Sequence, residues 1–179
     1  SQVAAYRALA TVYIEFFRGV PAPLVLIAVV YGIPVALNTE VPRGILGTIT
    51  VALGLVAAAY LAETFRAGIQ AVPKGQMEAG RSLGMSHGRA MVSIVIPQAF
   101  RIILPPLTNE LILLTKDSSL VYLLGYTAAT VELTSFGRQT LNQVNNMTPL
   151  VVIALCYLLI TVPLSIVVRR MESRAERAR

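Results

Sequence analysis

The stretch that decides the fold is EAGRSLGMSHGRAMVSIVIP, residues 78–97, a polar segment between two long apolar ones. Just before it, Pro73 and Gly75 end the preceding apolar segment, because both residue types break helices. Residues 76–83 are then good helix formers as far as Gly84, which stops the run. The pattern predicts a short surface helix that joins two apolar segments.

This predicted helix has features of a surface on which another protein docks. Ala79, Gly80 and Ser82 are small, so a partner can approach the backbone closely. Glu78 and Arg81 are three residues apart, so they can pair with each other or with charges on a partner. The alternative is a solvated amphipathic connector without a partner.

Composition indicates a membrane protein. Of 179 residues, 55% are hydrophobic and 13% charged, and the mean hydropathy is +0.68. One soluble core needs much less apolar surface. Uncharged runs cover residues 19–39, 44–62 and 139–168, each near or above the roughly 20 residues that cross a bilayer. We therefore expect an all-α fold, a polytopic bundle of membrane helices.

A fourth apolar segment, residues 102–124, carries charged and amide side chains. A charge inside a membrane span costs about 2.5 to 3.5 kcal/mol on insertion scales, so such groups usually face a protein interior or a watery path. We expect this segment to line a pore. The predicted spans, about residues 20–38, 44–65, 102–124 and 148–168, form one membrane domain over residues 1–179.

Basic residues cluster in residues 66–101 and in the tail after Val168. By the positive-inside rule both are cytoplasmic, which makes residues 70–98 a cytoplasmic loop. Binding to nucleic acid is the competing explanation of the net charge of +6. The basic residues lack an aromatic stacking array and alternate with apolar spans, so we expect no nucleic-acid partner.

The pattern of residues 78–97 resembles the EAA loop in permease subunits of binding-protein-dependent ABC importers. That loop reads Glu-Ala-Ala, three residues, Gly, nine residues, Ile, one residue, Leu-Pro. The spacing is met throughout, by Glu78, Ala79, Gly80, Gly84, Ile94, Ile96 and Pro97. Gly80 replaces the second Ala and Ile96 the Leu, and both keep the small or branched apolar character.

The resemblance implies a fold of the type I ABC importer permease kind, in the bacterial plasma (inner) membrane. It also implies docking of an ATPase at Gln76, Glu78, Ala79, Gly80, Arg81, Ser82, Leu83 and Gly84. The implied partners are a dimer of ATP-binding subunits, a second permease subunit, identical or homologous, and an external substrate-binding protein, with lipid around the spans. ATP and Mg²⁺ would be bound by the partner ATPase.

The chain itself shows no enzyme signature. It lacks a Gly-x-x-x-x-Gly-Lys-Ser/Thr phosphate loop and any visible nucleophile and base pair. We therefore expect a non-catalytic transport subunit without a cofactor or metal of its own. Residues 1–17 have near-helical apolar spacing. Family members usually carry another span before this point, so this chain either lacks that span or has a diverged first helix.

Four further elements resemble the polar amino-acid branch of these permeases. They are EFFRGVP at 15–21, AETFRAGI at 62–69, KGQ at 74–76 and KDSSL at 116–120. The branch typically shows Phe-Arg-Gly-Thr-Pro, Glu-x-x-Arg-Gly-Gly-Ile, Pro-x-Gly-Gln and Leu-Lys-Asp-Thr-Ser-Leu. The departures here are Val20, Ala67 and Ser118. The resemblance implies transport of an L-amino acid that is polar or charged.

A substrate path is predicted along the fourth span. Asn109 and Lys116 are seven residues apart, as are Glu110 and Asp117, so the two pairs form adjacent stripes on one helix. Both signs of charge are thus offered to a zwitterion. The alternative is a set of ion pairs between helices. The candidate path residues are Asn109, Lys116, Asp117, Ser118, Glu63 and Arg66.

Two of these candidates have a simpler explanation. Glu63 and Arg66 are three residues apart, where a local salt bridge is common, and we favour that role for them. Glu110 is left outside the set, because nothing in the branch pattern singles it out.

Two alternatives to an amino-acid importer stay open at this point. The EAA loop is shared by importers of sugars, peptides, metals and anions. The second alternative is a membrane protein that works without ATP, as a channel or a scaffold.

Overall fold

The computed structural model describes residues 2–39, 44–124 and 132–177, and in these ranges all regular structure is helical. The first part contains α1 (Gln2–Gly19), α2 (Ala22–Ile27), a π-helical turn (Ala28–Gly32) and α3 (Ile33–Leu37). The second contains α4 (Gly44–Gln70), α5 (Lys74–Ser82), α6 (His87–Ala90), a π-helical turn (Met91–Val95), α7 (Ile96–Asp117) and a 3₁₀ segment (Ser118–Leu124). The third contains α8 (Leu133–Val144) and α9 (Thr148–Arg177).

Three helical stretches are long and apolar enough to cross a membrane: Leu46–Gln70, His87–Leu124 and Thr148–Ser173. The segments Val3–Gly19 and Ala22–Leu37 pass the same test only as a pair, bent by 106° at their junction. The expected all-α membrane bundle is confirmed. The boundaries of the spans, and the side of the membrane that each end faces, stay predictions.

The bend lies where the sequence predicts the start of the first span. Pro21 has a ψ of 132°, outside the helical range, and precedes the first turn of α2. A residue that precedes proline is biased away from helical conformation, so Val20 and Pro21 together end α1. The arm that follows is tied to the rest of the bundle about midway along its length, where Leu26 and Val30 are buried against Ala52 and the Tyr31 hydroxyl donates a hydrogen bond to the carbonyl of Leu124.

The packing of α4 on α7 organises the bundle. One helical stripe of α4 carries its buried apolar side chains Ile49, Ala52, Val56 and Ala59, and Gly68 is buried on another side of the same helix. Near the carboxyl end of α4 the two helices approach closely, because a Cβ atom on Gly68 would overlap Cγ1 of Ile103. The backbone of α4 therefore packs directly against a side chain of α7.

The two helices run antiparallel, and their contacts define the register. At one end Gly68 meets Ile103. At the other end Ala52 shares a buried cluster with Leu124, and Leu53 and Leu120 pack on the same cluster. Each step toward the amino end of α4 therefore matches a step toward the carboxyl end of α7.

Gly68→Ala tests this close approach. Ile103 would have to move to admit the new methyl group, and overpacking of this kind costs typically about 1 to 3 kcal/mol. Gly54→Ala is the matched control on the same helix, because nothing lies within 4 Å of the added Cβ. We expect a lower midpoint of thermal unfolding for Gly68→Ala in detergent, and an unchanged midpoint for Gly54→Ala. Equal midpoints for the two variants would contradict the packing.

Candidate functional site

One face of α5 packs against its own chain. Met77 is half-buried in a cluster with Val72 and Val95. Gly80 is buried, and a Cβ atom there would lie 2.7 Å from Cδ1 of Ile94 and 3.2 Å from Cβ of Ala90. The small size of Gly80 therefore serves packing within the chain, whereas we had expected it to admit a partner.

The end of α5 is closed by a Schellman motif. Gly84 has a φ of +81°, a conformation that glycine adopts without strain. Its N–H donates to the carbonyl of Arg81 at 3.0 Å, and the N–H of Met85 donates to the carbonyl of Gly80 at 3.2 Å. Ser86 then caps α6, because its hydroxyl accepts from the N–H of Arg89 at 3.3 Å. The chain is thereby directed from α5 into the next membrane helix.

A second contact ties α5 to that membrane helix. The amide nitrogen Nε2 of Gln98 donates to Oε1 of Gln76 at 3.1 Å and to the carbonyl of Ile94 at 3.0 Å. Pro97 has no N–H to donate, and the π-helical turn just before it closes with a bond from Ile96 to the carbonyl of Met91. The hydrogen bond between Gln98 and Gln76 and the contact of Gly80 with Ile94 therefore link both ends of α5 to one membrane helix.

The rest of the surface of α5 and its end is exposed. The other candidate docking residues are all exposed: Gln76, Glu78, Ala79, Arg81, Ser82, Leu83 and Gly84. Leu83 is the most exposed large apolar residue of the described chain, at 83%. Within residues 2–39, 44–124 and 132–177, no ion pair joins Glu78 to Arg81, so both charges remain available to a partner.

A cavity of about 380 Å³ lies where the bend after α1 meets α4 and α7. The bend contributes Arg18 and Pro21, and α4 contributes Tyr60 and several apolar side chains. From α7 come Glu110 and Asp117, which share one stripe two turns apart. Both of these carboxylates are half-buried. The cavity thus combines apolar walls with charges of both signs.

Arg18 is held at the cavity without being fully neutralised. Its Nη1 atom is 3.9 Å from Oε1 of Glu63, and its guanidinium carbon is 5.7 Å from the centroid of the Tyr60 ring. The distance to Glu63 is too long for a hydrogen bond. In the part of the chain that the structure describes, no hydrogen bond from this guanidinium is present, so its donors are available to another group.

Glu63 is instead paired with its neighbour on α4. Nε of Arg66 donates to Oε2 of Glu63 at 2.8 Å, and Nη2 of Arg66 donates to Oε1. Nη1 of Arg66 also donates to Gln70 at 2.9 Å. Neither Glu63 nor Arg66 lines the cavity. The geometry is that of a local salt bridge, and both residues lie outside this cavity.

The remaining predicted path residues divide into two groups. Asp117 lines the cavity, whereas Asn109, Lys116 and Ser118 are exposed and lie away from it. The hydroxyl of Ser118 donates to the carbonyl of Thr115 at 2.7 Å, so it supports the transition from α7 to the 3₁₀ segment.

Two charged residues of the cavity were missed from sequence. Glu110 lies on the same helical stripe as Asp117, and the seven-residue spacing between them could have identified Glu110 as a cavity residue. Arg18 stands in the element EFFRGVP, but nothing in its local sequence shows that the bend at Pro21 brings it to α4 and α7.

Gly80→Leu tests the attachment of α5. A leucine side chain cannot fit against Ile94 and Ala90, so α5 should detach at a cost of about 1 to 3 kcal/mol. We expect faster tryptic cleavage after Lys74 and Arg81 in the detergent-solubilised protein. Gly75→Leu is the control, since a Cβ at Gly75 meets nothing within 4 Å. Equal cleavage rates in the two variants would contradict the contact.

Residues 2–177 match the family model described as "Binding-protein-dependent transport system inner membrane component". The chain is similar to the probable glutamine ABC transporter permease protein GlnM of Bacillus subtilis (strain 168), with 38% identity over 95% of this chain and 76% of the relative. It is 36% identical to the arginine transport system permease protein ArtQ of the same organism, over 93% of this chain and 74% of the relative.

A solved crystal structure of an amino acid ABC transporter with histidines matches with a TM-score of 0.84 and 35% identity. The match covers 97% of this chain and 78% of that one. The family indicated by the EAA loop is therefore confirmed, and with it the inner-membrane location. The chain belongs to the family of inner-membrane permease components of binding-protein-dependent transport systems.

Proposed function

We propose that this chain is the permease subunit of an ATP-driven amino-acid importer and that the cavity beside α7 is part of its translocation path. The observation that carries the proposal is the meeting of Arg18, Glu110 and Asp117 at one cavity. An amino acid is a zwitterion, and both of its charged groups need partners once they leave water. Similar proteins include permeases named for glutamine, arginine and L-cystine, and this supports the same substrate class.

The proposed coupling runs from the exposed face of α5 to the cavity. A partner ATPase would contact the exposed residues from Glu78 to Leu83. A push on α5 would reach the membrane helix through the Gly80 and Gln76 contacts. That helix, His87–Leu124, is continuous and also carries Glu110 and Asp117. One helix therefore connects the docking surface with the substrate path.

The proposal includes the partners expected for this family. A dimer of ATP-binding subunits would bind ATP and Mg²⁺ and dock at two copies of the α5 surface. A second permease subunit, identical or homologous, would complete the pore, and an external binding protein would deliver the substrate. The competing functions are an importer of another small solute and an ATP-independent channel or scaffold.

Arg81→Glu separates the importer from the channel. The variant reverses an exposed charge at the proposed docking face, and repulsion of a partner charge should lower coupled ATPase activity and uptake about tenfold or more. Lys74→Glu makes the same charge change at the exposed start of α5, outside the proposed docking set. Both activities are measured on the complex in proteoliposomes. Unchanged coupling in Arg81→Glu would contradict docking at this face.

The partners are tested by affinity purification from native membranes in mild detergent, followed by mass spectrometry. We expect an ATP-binding chain in an amount equal to the permease chains. A cross-linker attached through Ser82→Cys should join that chain to α5, because Ser82 is exposed. Absence of any ATP-binding chain, even with the cross-linker, would exclude the importer and favour a channel or scaffold.

A further inference from the structure

We infer that the exposed side of α9 binds an anionic phospholipid, with its phosphate held by Arg169 and Arg170 and an acyl chain along the apolar side chains before them. The inference goes beyond the proposed function, because it concerns neither the cavity nor the exposed surface of α5. It follows from which side of α9 is uncovered and from the position of the two arginines on that side.

One side of α9 packs against the rest of the chain. Ile153 and Val168 are buried on this side. Near the start of α9, a Cβ atom on Gly137 of α8 would overlap the side chain of Ile153. Near its end, Sδ of Met171 lies 4.0 Å from Oγ1 of Thr108 on α7. The contacts with α7 and α8 therefore cover the same side of the helix at both ends.

The other side of α9 carries an exposed apolar stripe that ends in an arginine. Steps of four, four, three and four residues place its members on one face, and all are exposed: Leu155, Leu159, Pro163, Ile166 and Arg170. From Leu159 to Arg170 is eleven residues, or about 16 Å along the axis. This is close to half of the roughly 30 Å hydrocarbon core of a bilayer, which one acyl chain spans. The stripe therefore has the length of one lipid tail below one headgroup.

Arg169 and Arg170 are the first charges after the uncharged run of residues 139–168. Both lie inside the candidate span Thr148–Ser173 and near its end, so their side chains reach the level of the headgroups. A guanidinium binds two phosphate oxygens at once with its planar set of donors. The depth and chemistry of these residues thus fit the phosphate of a membrane lipid.

Neither arginine is neutralised within residues 2–39, 44–124 and 132–177. The ion pairs found there join Glu63 to Arg18 and to Arg66, and no hydrogen bond from the guanidinium of Arg169 or Arg170 is present. Two adjacent positive charges without an acid are complementary to a headgroup with net negative charge. A zwitterionic headgroup brings its own cation and suits them less well.

A second copy of the chain fits this stripe less well than a lipid does. Two identical chains inserted in the same direction are related by a two-fold axis along the membrane normal, so each residue at the centre of their interface meets its own counterpart. Packing on this stripe would therefore bring Arg170 against Arg170 of the copy. Like charges that meet in an interface oppose association.

The test uses a fluorescent reporter on the stripe. The chain contains no tryptophan, so Ile166→Trp supplies the only tryptophan signal, one turn before Arg170. The purified full chain is reconstituted in phosphatidylcholine vesicles in which either phosphatidylglycerol or a fraction of the phosphatidylcholine has brominated acyl chains, which quench tryptophan. We expect a preference for phosphatidylglycerol of about fivefold or more, the contribution of one arginine near an anionic lipid. Both leaflets have the same composition, so the orientation of the chain does not affect the result.

Three variants control this measurement. Replacing both Arg169 and Arg170 by Gln in the reporter chain should abolish the preference. Lys74→Gln removes an exposed positive charge at the start of α5, away from the stripe, and should leave the preference unchanged. Leu155→Trp places the reporter about 16 Å earlier on the same stripe, where both lipids should quench equally. The preference is a ratio within each preparation, so it does not depend on the yield of folded protein.

Three outcomes would overturn the inference. Equal quenching by the two lipids at Ile166→Trp would mean that the arginines act only on the orientation of the chain. A preference that survives the double Gln variant, or that falls equally in Lys74→Gln, would assign it to the overall charge. Weak quenching by both lipids at both reporters would show that protein, such as a second copy, covers the stripe. Each of these results leaves the proposed importer function intact.

Discussion

The antiparallel packing of α4 on α7 is the constraint on which the rest of the structure depends. It is close because Gly68 has no side chain, so that Ile103 lies against the backbone of α4. The contact sets the register of the two helices. The register in turn decides which residues of α4 are level with Glu110 and Asp117, and therefore what faces the cavity. A membrane bundle gains little from burying apolar surface away from lipid, so contacts between small residues carry much of this packing.

The same membrane helix connects the two parts of the candidate site. At its start, Ile94 and Gln98 hold α5 through one apolar contact and one hydrogen bond. Further along, its half-buried carboxylates line the cavity. A rigid helix transmits displacement along its length better than a loop does. The π-helical turn at Met91–Val95 and the 3₁₀ segment at Ser118–Leu124 interrupt its regular hydrogen bonding near each end, where such a helix can deform most readily.

Local patterns account for much of α5 and its surroundings. Pro73, Gly84 and Ser86 each act through the conformation or hydrogen bonds of their own segment, so their roles can be predicted from sequence alone. Gly80 cannot be understood in this way. Its size is required by Ile94, which is fourteen residues further on and reaches it only after the chain has turned. The sequence indicates that Gly80 is small, but not which neighbour requires this.

By itself, the sequence determined the all-helical membrane class, the EAA loop with its family, and the short helix of the loop. Apolar length, basic clusters and residue spacing are local properties, and they need no knowledge of contacts. Only the tertiary structure decided which polar residues meet. It brought Arg18 to Glu110 and Asp117 across a bend, and it kept Glu63 with Arg66 outside the cavity. The physical reason is that a cavity is formed by several helices at once, and their register is set by distant contacts such as that of Gly68 with Ile103.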